Sequence, residues 1–275
     1  MAHTLLDRDK YFSHVFAHLS GQRVGIVLTS DNLGGQLHIQ GMIQMLEYFG
    51  VSYYLVDTNP PAFKKHNQKT QAYAISGGGV MGRAYTYQPQ ISSKMPKVCP
   101  KKGWNKSFER RMQVLKTNRP VTVLPQSFKA KEPLNYHKVF VREHISQSFY
   151  PGAILAPDMS LGLEWKGSVP DPIHSLGIWL KSQDPEGIIQ HPDNLGDPIA
   201  QFPKNHKKFK DYIRLAALYR HIVTDRTHFA VAAMMANLNS DTQRTITLMP
   251  CAYHKNLGIW ESWLKDLGVY YEEGF

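Results

Sequence analysis

The sequence predicts an α/β fold made of two Rossmann-like halves, each built on a parallel sheet. The chain has 275 residues, enough for two lobes of about 130 residues with a core each. Apolar strand segments alternate with helical segments along the chain, which is the order of βαβ units. The strand segments are apolar throughout, as expected for strands that are covered on both faces.

The first half opens with an amphipathic helix that Gly21 ends, because glycine adopts the left-handed conformation found at helix termini. A buried strand, a turn with two glycines, a helix and a second strand follow, and this order is a βαβ unit. The elements predicted for this half are helices over 5–19, 36–49 and 105–118 and strands over 23–29, 52–57, 72–76 and 121–124. Residues 129–133 are the predicted domain joint, so the first domain is predicted to comprise residues 1–132.

The second half, predicted to comprise residues 133–275, repeats this alternation. Its predicted elements are strands over 138–141, 153–156, 176–180, 221–223 and 245–249 and helices over 143–149, 209–219, 227–238 and 256–267. The segment 181–203 contains four prolines, which is typical of a loop that covers a site.

The composition indicates a folded globular protein, since 42% of the residues are hydrophobic and 11% are aromatic. The two cysteines, Cys99 and Cys251, cannot build a disulfide scaffold or a four-ligand zinc site, which favours a reducing compartment. No export signal is recognisable, and no apolar stretch reaches the roughly 18 residues of a membrane span. The sequence therefore predicts a cytoplasmic location, with peripheral association at the inner membrane face as an alternative.

Basic residues exceed acidic ones by 32 to 22, a net charge of +10. They concentrate in three groups: Lys64, Lys65 and Lys69; Lys94, Lys97, Lys101, Lys102, Lys106, Arg110, Arg111, Lys116 and Arg119; and Lys204, Lys207, Lys208 and Lys210. Such a charge attracts nucleic acid, an anionic membrane, an acidic polysaccharide or a phosphorylated small molecule. Lysine runs are equally typical of a solvated surface, so the charge does not choose among these partners.

Polar candidates for a binding site follow several predicted strands. Ligands of open parallel sheets bind beyond the carboxyl ends of the strands, where loops and helix N-termini meet. The residues at such positions are Asn32, Gly77, Gly78, Gly79, Gln126, Ser127, Arg142, Glu143, Asp158, Arg226, His228 and Lys255. Their shared placement predicts a site between two lobes.

The segment from His221 to His228 is the most informative of these. It is predicted to be a strand, a polar turn and the start of an apolar helix, so Arg226 and His228 lie at the positive end of a helix dipole. An arginine and a histidine there suit a phosphate or carboxylate. The alternative is an ordinary junction in which Thr224 or Asp225 caps the helix.

The sequence lacks the motifs of several classes of nucleotide-binding protein and hydrolase. The turn over residues 31–36 and the triglycine do not form the dinucleotide-binding pattern, and no phosphate-binding P-loop occurs. No nucleophile elbow and no zinc-protease motif is present. His14 and His18 share a helix face without a carboxylate between them, so no metal is predicted there.

In order, the polar blocks at strand ends resemble the motifs of the polysaccharide pyruvyltransferase family. The blocks are residues 32–34, 75–79, 123–127, 139–143 with Ser146, 155–158, 224–228 and 253–256. The resemblance covers residues 22–268 and implies a glycosyltransferase-B-like fold. It implies an acceptor-side domain and a donor-side domain that face a cleft, with the last helix packing back toward the first domain.

The resemblance also implies the transfer of a pyruvyl group from phosphoenolpyruvate to a sugar of a cell-surface glycan or its lipid-linked precursor. Arg226 and His228 match the family's Arg-x-His signature for the donor, and Arg142 matches a second arginine. In this reading His228 is the catalytic acid, Glu143 is a weaker candidate base, and neither a metal nor a cofactor is needed. The family commonly has an acidic residue where Gly35 stands and an aliphatic one where Thr227 stands.

Two alternatives from other classes stay open. One is a glycosyltransferase of the same architecture that uses a nucleotide sugar and modifies a glycan or a nucleic acid. The other is a non-catalytic protein that binds nucleic acid through its lysine groups.

Overall fold

The structure is a computed structural model. It describes residues 4–28, 33–56, 60–77, 80–81, 104–132, 134–181, 187–203 and 208–273. The chain divides into two compact units. The first-sheet unit comprises Phe12–Ser30 and Met45–Asp158, and the second-sheet unit comprises Met1–Tyr11, Asp31–Gln44 and Met159–Phe275.

A parallel sheet forms the first-sheet unit. Its strands are β1 (Arg23–Val27), β2 (Ser52–Leu55), β3 (Ala72–Ile75), β4 (Val80–Met81), β5 (Val121–Phe128), β6 (Lys138–Val141) and β7 (Ile154–Leu155). The strand order is β2-β1-β3-β5-β6-β7, and β4 pairs with β5 beyond the end of β3. The predicted βαβ unit is present, because β1 and β2 pair in parallel and a helix connects them.

The α-helices described in this unit are α1 (Arg8–Phe16), α2 (Leu33–Tyr48), α3 (Pro60–Asn67), α4 (Trp104–Leu115) and α5 (His144–Gln147). The unit boundaries cross α1 after Tyr11 and α2 after Gln44. The core is a cluster of valines and aromatic side chains from β3, β5, β6 and α4, with Tyr73, Val114, Val123 and Phe128 fully buried. Apolar burial on this scale is the main stabilising contribution to such a unit.

The second-sheet unit contains β8 (His174–Trp179), β9 (Tyr219–Thr224), β10 (Thr245–Leu248) and β11 (Tyr270–Tyr271) in the order β11-β10-β9-β8. All of these pairings are parallel. The helices are α6 (Phe209–Ala217), α7 (Thr227–Leu238) and α8 (Lys255–Ile259). Helix α7 is apolar on every side and almost completely buried, which explains its run of alanines, methionines and aromatic residues.

Several elements differ from their predicted bounds. Strand β5 continues through Pro125 to Phe128 and its register with β6 shifts between Val123 and Gln126, where proline supplies no N–H for the ladder. The predicted helix over 256–267 is α8 followed by a π-helical and a 3₁₀ segment. Helix α3 and strand β11 were not predicted, because they are short and their apolar pattern is weak.

The division into units also differs from the predicted boundary at residue 133. Strands β6 and β7 lie beyond that boundary, yet they extend the sheet of β1, β3 and β5. Hydrogen bonding across a sheet therefore keeps residues 138–155 in the first-sheet unit.

Candidate functional site

The carboxyl ends of β8, β9 and β10 carry a group of charged residues in the second-sheet unit. Lys181 follows β8, the segment from Asp225 to His228 follows β9, and Lys255 with Asn256 follows β10. Parallel pairing places all three strand ends on one edge of the sheet. We call Lys181, Arg226 and Lys255 the cationic cluster.

Arg226 is the residue that precedes α7. Its backbone N–H donates to Oγ1 of Thr224 at 3.0 Å, and that hydroxyl donates to the carbonyl of Trp179 at 2.8 Å. The Arg226 guanidinium makes a bidentate ion pair with Asp197, with Nε 3.0 Å from Oδ1 and Nη2 bonded to Oδ2. The two side chains are 19% and 25% exposed, so the pair lies near the surface.

Asp197 is held in place by the proline-containing loop over residues 187–203. Asn194 fixes this loop to β8: its Oδ1 accepts from the N–H of Leu180 at 2.9 Å and its Nδ2 donates to the carbonyl of the same residue at 3.2 Å. Asp197 also caps the following 3₁₀ turn, accepting from the N–H of Ile199 at 3.1 Å. The loop predicted to cover a site thus supplies the carboxylate that Arg226 binds.

Asn256 joins the segments that follow β9 and β10. Its Nδ2 donates to the carbonyl oxygens of Asp225 and Met249, both at 2.8 Å, and its Oδ1 accepts from Oγ1 of Thr227 at 2.8 Å. Asn256 is fully buried. These bonds bring Lys255, the preceding residue, to the same edge as Arg226.

Lys181 is buried, and its backbone N–H donates to both carboxylate oxygens of Asp225 at 3.2 and 3.1 Å. Burial, together with the charges of Lys255 and Arg226, lowers the pKa of Lys181 to about 7. Burial also raises the pKa of Asp225, while Lys181 and the other cations oppose that rise. Three basic side chains and two carboxylates, Asp197 and Asp225, therefore lie together at this edge of the sheet.

His228 is the second residue of α7 and is half-buried. Its ring lies beside that of His38 on α2, with the ring centroids 6.3 Å apart and the planes at 52°. His38 is fully buried. Sequence reasoning missed His38, because nothing in its local pattern separates it from a core residue of α2.

Four other predicted site residues, Gln126, Ser127, Arg142 and Glu143, lie in the first-sheet unit. Arg142 follows β6, is 2% exposed and forms an ion pair with Asp158, Nη1 to Oδ2, at 2.6 Å. Its Nε donates to Oγ of Ser127 at 2.8 Å, and its backbone N–H donates to the carbonyl of Gln126 at 3.2 Å. This guanidinium is thus engaged by a buried carboxylate of its own unit.

Glu143 caps the short helix α5. Its carboxylate accepts from the backbone N–H of Ser146 at 2.8 Å and from the hydroxyl of the same serine. The Oγ of Ser146 in turn accepts from the N–H of Phe128 at 2.7 Å. In this arrangement Glu143 satisfies the first turn of a helix and is fully buried.

The triglycine is only partly within the described residues. Gly77 is buried directly after β3, and the preceding Ser76 donates its N–H to the carbonyl of Val27 at 2.9 Å. Asn32, Gly78 and Gly79 lie outside the described residues. The roles predicted for these residues, and the catalytic roles predicted for Arg226, His228 and Glu143, stay predictions.

Many lysines of the three basic groups, which could attract nucleic acid or an anionic membrane, also lie outside the described part of the chain. Lys94, Lys97, Lys101, Lys102, Lys204 and Lys207 belong to this set. Among the helices that the structure describes, none is long and apolar enough to cross a membrane.

Comparison with known proteins supports the fold and not the predicted family. No family model matches the chain, and no curated protein sequence matches it. A solved structure of a protein of uncharacterised function from Klebsiella pneumoniae is similar at a TM-score of 0.69 and 12% identity, covering 97% of this chain and 99% of that one. This similarity establishes a shared fold alone.

Two further solved structures are similar over much of the chain but superpose poorly. One is an ABC transporter solute-binding protein from Bacillus halodurans with bound myo-inositol, at a TM-score of 0.30 and 8% identity, covering 91% of this chain and 82% of that one. The other is from Mycobacterium smegmatis in complex with β-D-fucofuranose, at 0.31 and 11%, covering 92% and 88%.

The predicted membership of the polysaccharide pyruvyltransferase family was therefore wrong. No family model and no curated protein sequence supports it. The glycosyltransferase-B-like fold, the transfer of pyruvate from phosphoenolpyruvate and the nucleotide-sugar alternative depended on that family and are corrected with it. An α/β fold with two parallel sheets remains.

We expect Asp158→Ala to lower the free energy of unfolding by about 3–5 kcal/mol, because it leaves the charge of Arg142 buried without its partner. The matched control is Asp211→Ala, which removes a more exposed ion pair with Arg214 (3.5 Å) and should cost less than about 1 kcal/mol. Urea denaturation measures both values. Equal losses in the two variants would contradict the structural role of the Arg142 ion pair.

We expect the stability of the wild type to rise with pH, relative to Lys181→Met, between about 7 and 10.5. The pKa of Lys181 is about 7 in the folded protein, whereas the ordinary pKa of lysine is 10.5. Across this interval the unfolded chain therefore binds the extra proton. Below it the lysine is protonated in both states and the difference is constant. Urea denaturation over this pH range measures the effect, and the exposed Lys210→Met should show none. A wild-type minus Lys181→Met difference that does not change with pH would refute the lowered pKa.

Proposed function

We propose that the protein binds a small anionic molecule, one with a phosphate or carboxylate group, at the carboxyl edge of the second sheet. The observation that carries this proposal is the cationic cluster: Lys181 and Arg226 come two residues after β8 and β9, and Lys255 begins α8, the helix that follows β10. The charges of Lys255 and Arg226 both act on Lys181. Loops and helix N-termini at such an edge are where open α/β sheets bind ligands.

The start of α7 adds to this positive potential. The helix has 12 residues, and Arg226, at its N-cap, makes no side-chain capping hydrogen bond. The first N–H groups of a helix have no acceptors within the helix, and the aligned peptide dipoles place partial positive charge there. An anion beside Arg226 would gain from both.

The ion pair between Arg226 and Asp197 shows what the guanidinium can hold. Two parallel N–H donors bind both oxygens of one carboxylate, the arrangement that arginine also offers to a ligand carboxylate or phosphate. Asp197 therefore occupies part of the proposed site and competes with the ligand. Binding would transfer the guanidinium from Asp197 to the ligand or let the two share it.

The buried amine of Lys181 makes the site responsive to its ligand. With a pKa of about 7, this amine is only partly protonated at neutral pH, and a bound anion would favour the ammonium form. The ligand would thus restore the charge that burial suppresses. This response is expected of a group that contacts or lies close to a bound anion and not of a surface lysine.

The test uses sulfate, a divalent anion that does not titrate near neutral pH, in calorimetric titrations of the full chain. Arg226→Gln should weaken binding tenfold or more, since hydrogen bonds to charged groups contribute about 1.5–3 kcal/mol. The matched control is Arg214→Gln on α6, an exposed arginine of the same unit. The proposal is rejected if the wild type binds no sulfate saturably, or if the two variants lose affinity equally.

Removing the competing carboxylate should have the opposite effect. Asp197→Asn should bind sulfate more tightly, by a factor on the order of 10. This factor corresponds to a loss of about 1.4 kcal/mol of competition between Asp197 and sulfate for Arg226. Asp193→Asn changes an exposed carboxylate of the same loop and should leave the affinity within about twofold, as for a distant charge screened by salt. Unchanged or weaker binding by Asp197→Asn would show that Asp197 does not compete for Arg226.

A further inference from the structure

Two histidines that are far apart in sequence lie together in the second-sheet unit. His38 is in α2 and His228 is in the first turn of α7. One ring nitrogen of each lies within 4.8 Å of one ring nitrogen of the other. Neither histidine belongs to the cationic cluster, so the pair is a separate feature of the molecule.

We propose that His38 and His228 bind a divalent transition-metal ion such as Zn²⁺. Imidazole nitrogen is a preferred ligand of zinc, copper and nickel. Zinc–nitrogen bonds are about 2.0–2.1 Å long, so two nitrogens on one ion lie within about 4 Å of each other. Small rotations of the two rings bring a pair within 4.8 Å into that range.

The backbone around the pair supports a fixed position for His38. Gly41, one helical turn after His38, packs so closely that a Cβ there would overlap the carbonyl oxygen of Met159. Met159 begins a 3₁₀ turn, Met159–Gly162, that also packs against α7. One turn of the chain therefore contacts both helices that carry the histidines, and a rigid pair of ligands loses little entropy when it binds a metal.

The two ligands differ in burial in a way that suits an accessible ion. His38 is fully buried and His228 is half-buried. An ion between them would therefore have one ligand in the interior and one nearer the surface.

The other histidine pair considered from the sequence is not suited to metal. His18 forms a hydrogen bond between Nε2 and Oγ1 of Thr122 at 2.8 Å, and its ring stacks on Phe140. Burial lowers the pKa of His18 to about 4, with Lys138 and His137 contributing. The ring of His18 is therefore already engaged by Thr122 and Phe140 within the first-sheet unit.

The test is calorimetric titration of Zn²⁺ into the full chain after treatment with a chelator. We expect one ion per chain. His228→Ala and His38→Ala should each weaken binding by more than the roughly 10–100-fold that loss of an outer-shell partner costs. The matched control is His221→Ala, an exposed histidine on β9, which should bind zinc as the wild type does.

Cobalt provides a readout that reports the ligands directly. Co²⁺ bound to imidazole nitrogen absorbs in the visible range, and the band should appear in the wild type and in His221→Ala, vanish on addition of Zn²⁺, and be lost in His228→Ala. Because His38 is fully buried, circular dichroism must confirm that His38→Ala folds. If it does not fold, His228→Ala decides the question.

The proposal is overturned by any of three results. The first is the absence of stoichiometric zinc binding by the wild type. The second is wild-type affinity in folded His228→Ala. The third is an equal loss in His221→Ala, which would show that surface histidines bind the metal adventitiously.

Discussion

Parallel pairing of β8, β9 and β10 is the constraint on which the proposed anion site depends. Only parallel neighbours place successive carboxyl ends on one edge, so Lys181, Arg226 and Lys255 meet although they are up to 74 residues apart in the chain. The hydroxyl of Thr224 and the amide of Asn256 then tie these strand ends together. The site is therefore assembled by backbone registry, and its charges are placed before any ligand arrives.

The two units treat buried charge in different ways. In the first-sheet unit, Arg142 faces Asp158 and Ser127 in a fully buried arrangement, and Glu143 caps a helix. A pair of this kind offsets much of its own desolvation cost and contributes to a particular packing. In the second-sheet unit, Arg226 and Asp197 are partly exposed, and Lys181 is buried beside other cations. The partly exposed pair of Arg226 and Asp197 is one that a ligand can reach from solvent.

This contrast explains why the sequence could not separate the two groups of candidates. Arg142 and Arg226 both follow apolar strands and both precede helical residues, so their local patterns are alike. Their surroundings differ because Arg142 pairs with Asp158 in the interior, whereas Arg226 pairs with Asp197 near the surface. The same reasoning accounts for the incorrect family assignment: short polar blocks after strands arise from turn and capping chemistry shared by many parallel α/β folds.

The secondary structure was more predictable than the domain organisation. Apolar strands, the glycine-containing turns and the helix of α7 carry local signals that do not depend on partners. The placement of β6 and β7 in the first sheet, and of the first part of α2 in the second-sheet unit, depends on long-range pairing. The linker-like composition near residue 133 carries no information about these long-range pairings.

The sequence by itself determined an α/β protein with parallel sheets, a net positive charge, and Arg226 and His228 at the start of a buried helix. It determined them because hydrophobic period, glycine and proline positions and charge are properties of neighbouring residues. The tertiary structure decided that Asp197 binds Arg226, that Lys181 is buried beside other cations, and that His38 lies against His228. These are contacts between residues distant in sequence, and only the folded backbone brings such residues within bonding range.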